Sequence, residues 1–115
     1  MKQQRASFGL LFIFLLQILF PGTTIIAGAA FMGCRNITSI TLPDSVTYIG
    51  DNAFGNCTVL TSVTIPASVT YVGEEIFFTT SNYFYVTVHY GGTQTQWDAL
   101  GVTLPSGATV EYATN

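Results

Sequence analysis

Positive charge is nearly absent from this chain: three Lys or Arg residues in 115, against six Asp or Glu. Lys2 and Arg5 lie at the very start, so beyond them only Arg35 opposes Asp44, Asp51, Glu74, Glu75, Asp98 and Glu111. A surface with a single cation cannot track a phosphate backbone, which excludes nucleic acid as a partner. Soft metal ligands are equally scarce, with two Cys and one His, and His89 stands far along the chain from either thiol. That set falls short of a closed metal site, and no cofactor is expected. A Cys-His nucleophile pair lacks an orienting acid. Glu74-Glu75 and Asp44/Asp51 fall on turn segments, where solvated charge explains them. The chain is therefore not read as an enzyme. Disorder is excluded too, because charged residues make up only 8% of the chain and hydrophobic ones 49%.

Long apolar runs are limited to one. Phe8 to Phe20 is apolar apart from Gly9 and Gln17, shorter than the roughly 20 residues a membrane-spanning helix needs. With Lys2 and Arg5 before it, Pro21-Gly22 as a break and Ala27-Gly28-Ala29 offering small residues after it, residues 1–29 read as a signal-peptide-like or anchor segment. Any membrane contact would run through this segment alone.

What the chain does have is a repeat. Residues Ala30 to Gly50 align with Ala53 to Gly73 at a spacing of 23. Ala30, Phe31, Cys34, Thr38, Ser39, Thr41, Pro43, Ser45, Val46, Thr47, Tyr48 and Gly50 recur unchanged, and Ile37, Ile40, Leu42 and Ile49 return as Leu60, Val63, Ile65 and Val72. A third unit opens at Ile76-Phe77 and then loses the pattern. Upstream, Thr24 to Phe31 fits the second half of a unit, so the small residues at Ala27 and Gly28 have a second explanation.

Each unit reads as one coil of a solenoid. The alternation Ser39-Ile40-Thr41-Leu42 marks a short strand with Ile40 and Leu42 inward and Ser39 and Thr41 outward. Pro43 ends it, having no N–H to give, and Asp44-Ser45 suits a turn. Val46 and Ile49 return apolar side chains from the opposite wall. Gly50 is expected to supply a positive φ at the next corner. Asp51-Asn52 is expected to cap a short helical or 3₁₀ turn that buries Ala53 and Phe54.

This pattern resembles the BspA-type leucine-rich repeats of bacterial and protozoan surface proteins, with Ser45 and Ser68 where the ordinary leucine-rich signature puts Asn or Cys. The resemblance implies an α+β chain built as a short leucine-rich-repeat solenoid, with repeats over 30–77. It further implies a secreted or cell-surface location, and a protein ligand among host or extracellular-matrix proteins. The rival reading is a structural fragment, or the terminal piece of a longer repeat protein, with no ligand of its own. Only two units are complete, so end-to-end self-association is a third way to cover the open coils.

Residues 83–115 leave the 23-residue spacing and read as a C-terminal cap. Tyr85 to Tyr90 alternates like a strand, Gly91-Gly92 turns, Thr93 N-caps a short helix to Leu100, and Thr109 to Tyr112 forms a last strand. Val88 to Trp97 resembles an element that often follows such repeats, with Trp97 packed over the last coil. Cys34 and Cys57 stack on adjacent coils, either as a buried thiol ladder or as a disulfide. Asn36-Ile37-Thr38 and Asn56-Cys57-Thr58 fit the N-glycosylation sequon. The candidate binding residues are Ser39, Thr41, Ser62 and Thr64 on the strand face, with Tyr48 and Tyr71 along another edge.

Overall fold

A computed structural model describes residues 5–6, 21–81 and 84–113. The apolar run Phe8 to Phe20 lies outside the described residues. The elements in chain order are β1 (Arg5–Ala6), β2 (Ile25–Ile26), β3 (Ser39–Thr41), β4 (Tyr48–Ile49), β5 (Ser62–Ile65), β6 (Tyr71–Val72), β7 (Val86–Tyr90), α1 (Gln94–Leu100) and β8 (Ala108–Tyr112). The strands form two four-stranded parallel sheets, ordered β1-β2-β4-β6 and β3-β5-β7-β8. These sheets are the two walls of a solenoid, and the chain visits them in turn, once per coil.

The register follows the repeat. Ile40 pairs with Val63 and Ile49 with Val72, in both cases across 23 residues. Ile25 pairs with Tyr48 and Ile26 with Ile49, so the upstream half-unit is a true half-coil. Pro43 ends β3 and Pro66 follows β5, and the two-residue strands of the second wall begin five residues later. One inward face of each wall fills a common core in which Ile40, Leu42, Val46, Ile49, Val63 and Ile65 are all buried. At the third corner Phe31, Phe54 and Phe77 stack in a column, with ring centroids 5.6 and 5.7 Å apart, and Phe84 tilts onto the end at 6.3 Å.

That corner is a hydrogen-bonded turn over Asp51–Asn56 with no helical or 3₁₀ geometry. The rungs are fastened by Phe31 N–H to the Ala53 carbonyl and Phe54 N–H to the Ile76 carbonyl, both 2.8 Å. Gly50 does not supply the positive φ expected of it. Left-handed residues stand elsewhere in the turn: Ala29, Asn52 and Glu75, at the same place in three coils, have φ of 57°, 57° and 52°, and Gly33 and Asn56, equivalent in two coils, have φ of 75° and 53°. Gly50 is small because of proximity: a Cβ there would stand 2.7 Å from Gly28 Cα and 2.9 Å from the Ala27 carbonyl carbon. Gly73 repeats the arrangement over Gly50 and Asp51.

Beyond Phe77 the spacing changes while the architecture continues. Ser62 pairs with Thr87 across 25 residues, so two extra residues are absorbed before β7, and Thr87 pairs with Thr109 across 22. The tail thus adds two rungs to the first wall. Between β7 and β8, where the earlier coils carry a second-wall strand, the chain forms α1. Thr93 is its N-cap, accepting the Gln96 N–H while the Gln96 side chain accepts the Thr93 N–H, and Gly101 closes it in the left-handed conformation. This capping box satisfies exposed N–H groups that a helix of this length cannot satisfy internally. Trp97 is buried against the edge of the Tyr90 ring, centroids 5.1 Å apart.

Candidate binding surface

Two features of the walls bear on function: what each presents outward, and how firmly it is held. On the β3-β5-β7-β8 wall the outward residues fall into two columns. One runs Ser39, Ser62, Thr87, Thr109, and the other Thr41, Thr64, His89, Glu111. Parallel pairing spaces neighbours in each column by about 4.8 Å. Thr109 Oγ1 approaches Thr87 Oγ1 at 3.4 Å, and His89 Nδ1 lies 3.2 Å from Glu111 Oε1. The His89–Glu111 contact is an ion pair when the imidazole carries its second proton, and with side chains 44% and 69% exposed it contributes little to stability.

Four of the expected residues, Ser39, Thr41, Ser62 and Thr64, stand together on this wall. Tyr48 and Tyr71 stand on the other, paired in β4 and β6. Their rings stack at 4.7 Å with an interplanar angle of 11°, and they are 41% and 47% exposed. The six candidates therefore make two surfaces. Thr87 and Thr109 continue the Ser39–Ser62 column, and His89 and Glu111 continue the Thr41–Thr64 column with ionisable groups, a continuation not read from the sequence. The signal was present, since Thr87-Val88-His89 repeats the alternation of Ser62-Val63-Thr64, but the two-residue insertion hid the alignment.

Several other hydroxyls tie successive coils together. Ser45 Oγ donates to the Thr23 carbonyl at 2.6 Å and Ser68 Oγ to the Val46 carbonyl at 2.7 Å, each reaching back to the preceding coil. Thr61 and Thr70 do the same to the carbonyls of Thr38 and Thr47. The Ser45 and Ser68 bonds satisfy carbonyls at corners, and the Thr61 and Thr70 hydroxyls add to backbone N–H bonds that the same carbonyls already accept, which ties each coil to the one before it. Asp51 Oδ1 accepts the Glu74 N–H at 2.8 Å, so this acid is spent on a turn. Asn56 Oδ1 likewise accepts the Thr80 N–H at 3.1 Å.

Among the described residues no group of three or more His, Cys, Asp or Glu side chains is placed to hold a metal ion. Cys34 and Cys57 are buried free thiols. Burial pushes the Cys57 thiol up to about 12, partly offset by the Cys34 backbone N–H, and burial raises Cys34 as well. Tyr90 is raised by burial too. Three shallow clefts, of about 200, 300 and 280 Å³, open along the rims of the walls, at or below the small end of the range for small-molecule sites. No helix among the described residues is long and apolar enough to cross a membrane.

A parallel two-walled coil stacked on itself around a shared aliphatic interior defines a leucine-rich-repeat solenoid, a class that typically serves as a non-enzymatic scaffold for binding proteins. The chain belongs to the BspA-type leucine-rich-repeat family: the family described as "BspA type Leucine rich repeat region (6 copies)" matches residues 15–100, about three-quarters of the sequence. The match begins within the Phe8 to Phe20 run and ends on the last residue of α1. Nothing among curated proteins or solved structures matches the chain. Members of this family are usually surface or secreted proteins.

Proposed function

We propose that this chain is an exported or cell-surface module that adheres to a host or extracellular-matrix protein through its outer walls. The observation that carries the reading is the Tyr48–Tyr71 stack. Large apolar side chains at other repeating positions, such as Phe31, Phe54, Ile40 and Val63, are buried, whereas these two rings stay outside, coil after coil. Tyr offers wide contact area with little entropy to lose, and stacking on a hydrogen-bonded strand pair pre-orders both rings. Ser39, Thr41, Ser62 and Thr64 give a second, hydroxyl-bearing surface on the other wall. In this reading 30–77 carry the contacts, 83–115 close the solenoid, and 1–29 direct export, with intact Met1 in a cytosolic fraction as the result that would remove the export step.

Adhesion to immobilised matrix protein tests the tyrosines. Tyr71→Ala is expected to weaken binding by about tenfold or more, the scale of an interface anchor, with the circular-dichroism spectrum unchanged. Equal adhesion by Tyr71→Ala and by the Tyr48→Ala, Tyr71→Ala double variant would remove the pair from the contact surface. Absence of adhesion in the unaltered protein would leave the structural-segment reading in its place.

A further inference from the structure

The cysteine column carries chemistry that the binding walls do not use. Cys34 and Cys57 each follow a column phenylalanine by three residues, inside turns that are hydrogen-bonded to one another. Gly33 N–H meets the Gly55 carbonyl at 2.8 Å and Phe31 N–H the Ala53 carbonyl at 2.8 Å. Turns bonded in this way lie one rung apart, about 4.8 Å, inside the ~4.4–6.8 Å Cα separation that a disulfide spans. The side chains are not simply parallel. Cys57 Sγ donates to the Phe31 carbonyl oxygen at 2.8 Å, and that same oxygen accepts the Cys34 N–H at 3.1 Å. The Cys57 sulfur therefore reaches back across the gap into the turn that holds Cys34. Both thiols are free and buried, yet the corner above them is thin, since Met32, Arg35, Asn36, Thr58 and Val59 are all exposed.

We propose that Cys34 and Cys57 form an oxidisable dithiol that closes into an inter-coil disulfide when the chain meets a peroxide. Cys34 reacts first: its thiolate attacks one peroxide oxygen, an S–O bond forms, the O–O bond breaks, and the departing hydroxide takes up the thiol proton as water. The sulfenic acid left on Cys34 lies within reach of Cys57. The Cys57 sulfur attacks the Cys34 sulfur, an S–S bond forms, the S–O bond breaks, and the hydroxyl leaves with the Cys57 proton as a second water. Two thiols lose two electrons and one peroxide becomes two waters. Cys34 takes the first step because the Cys57 thiol proton is held by the Phe31 carbonyl at 2.8 Å, and burial pushes that thiol up to about 12. The product clamps two successive coils through a loop of one repeat and removes unfolded-chain entropy.

The test uses the full chain, hydrogen peroxide as oxidant, and mass spectrometry after alkylation under denaturing conditions. The expected result is a monomer lighter by two hydrogens, with neither thiol alkylated, restored by dithiothreitol. Its melting temperature should rise by about 10 °C. In Cys57→Ala the same treatment should leave a Cys34 sulfenic acid that dimedone traps, with no intrachain disulfide. Three results would overturn the proposal: both thiols still open to alkylation, a disulfide only between two chains, or irreversible sulfinic acids on both residues of the unaltered protein. None of these readings depends on a variant folding.

Discussion

Replacing Phe54 by alanine removes the middle ring of the corner column, and the structure says what is lost. Phe54 is 1% exposed and stacks on Phe31 at 5.6 Å and on Phe77 at 5.7 Å. Truncating a buried Phe to Ala costs about 3–5 kcal/mol through lost transfer energy and the cavity left behind. The two broken ring contacts bring the expectation to the upper half of that range, since each stacked pair is worth about 0.5–1.5 kcal/mol. Each coil touches only its neighbours, so the void cannot be filled from elsewhere without moving a rung. Urea unfolding is the assay. With a slope of about 1–3 kcal/mol per molar for a protein of this size, the midpoint should fall by about 2 M. Phe54→Leu, which keeps most of the volume and loses only the stacking, should cost about 1–2 kcal/mol. Phe78→Ala, at a side chain 40% exposed, is the control and should cost less than about 1 kcal/mol. Equal losses for Phe54→Ala and Phe78→Ala would show that the column is not what joins the coils.

Three further expectations concern backbone and charge. Gly73→Ala would set a Cβ 2.6 Å from the Asp51 amide nitrogen and 2.8 Å from the Gly50 carbonyl carbon, so thermal melting should show a loss of about 1–3 kcal/mol, typical of overpacking against atoms that cannot rotate away. Glu75→Gly relieves a left-handed residue whose counterpart in the preceding coil is Asn52. The gain of about 1–2 kcal/mol exceeds the entropy that glycine adds to the unfolded chain, leaving about 0.5–1 kcal/mol of net stabilisation in the same melts. The Cys57 thiol, normally near 9.0, is held at about 12 when folded. Above pH 9 the unfolded chain therefore binds fewer protons than the folded one. Stability is fully present below that pH and falls by up to about 1.4 kcal/mol per unit as pH rises toward 12. Tyr90, raised in the same direction, adds to the slope, and Cys57→Ala should remove the Cys57 share in a pH series of denaturant midpoints.

How much of this was legible in the sequence depended on the length of each signal. Four alternating residues at Ser39–Leu42, repeated at Ser62–Ile65, gave the first wall and the inward placement of Ile40 and Val63. The second wall is made of two-residue strands such as Tyr48–Ile49, too short for a period of two to show, so it read only as a return of apolar side chains to the core. Gly50 read as a handedness residue because glycine at a corner usually is one. Its real constraint, the backbone of the coil beneath, comes from stacking and has no local signature. The candidate site suffered in the same way. Ser39 and Tyr48 are nine positions apart, and their placement on different faces was legible because the coil repeats, but the stacking of the Tyr48 and Tyr71 rings at 4.7 Å was not. The insertion before β7 broke the numerical period, and with it the view that Thr87 and Thr109 continue the column of Ser39 and Ser62.

The ladder also sets how this chain acquires its structure. Hydrogen bonds that tie one coil to the next, such as Thr61 to Thr38, Thr70 to Thr47 and Glu74 to Asp51, each span 23 residues of sequence, about a fifth of the whole, a separation typical of slow-folding topologies. The first closure of such a loop is the costly event. Every later coil lands on a finished template and closes a loop of nearly the same size, so growth proceeds outward from whichever pair forms first and halts where the template is damaged.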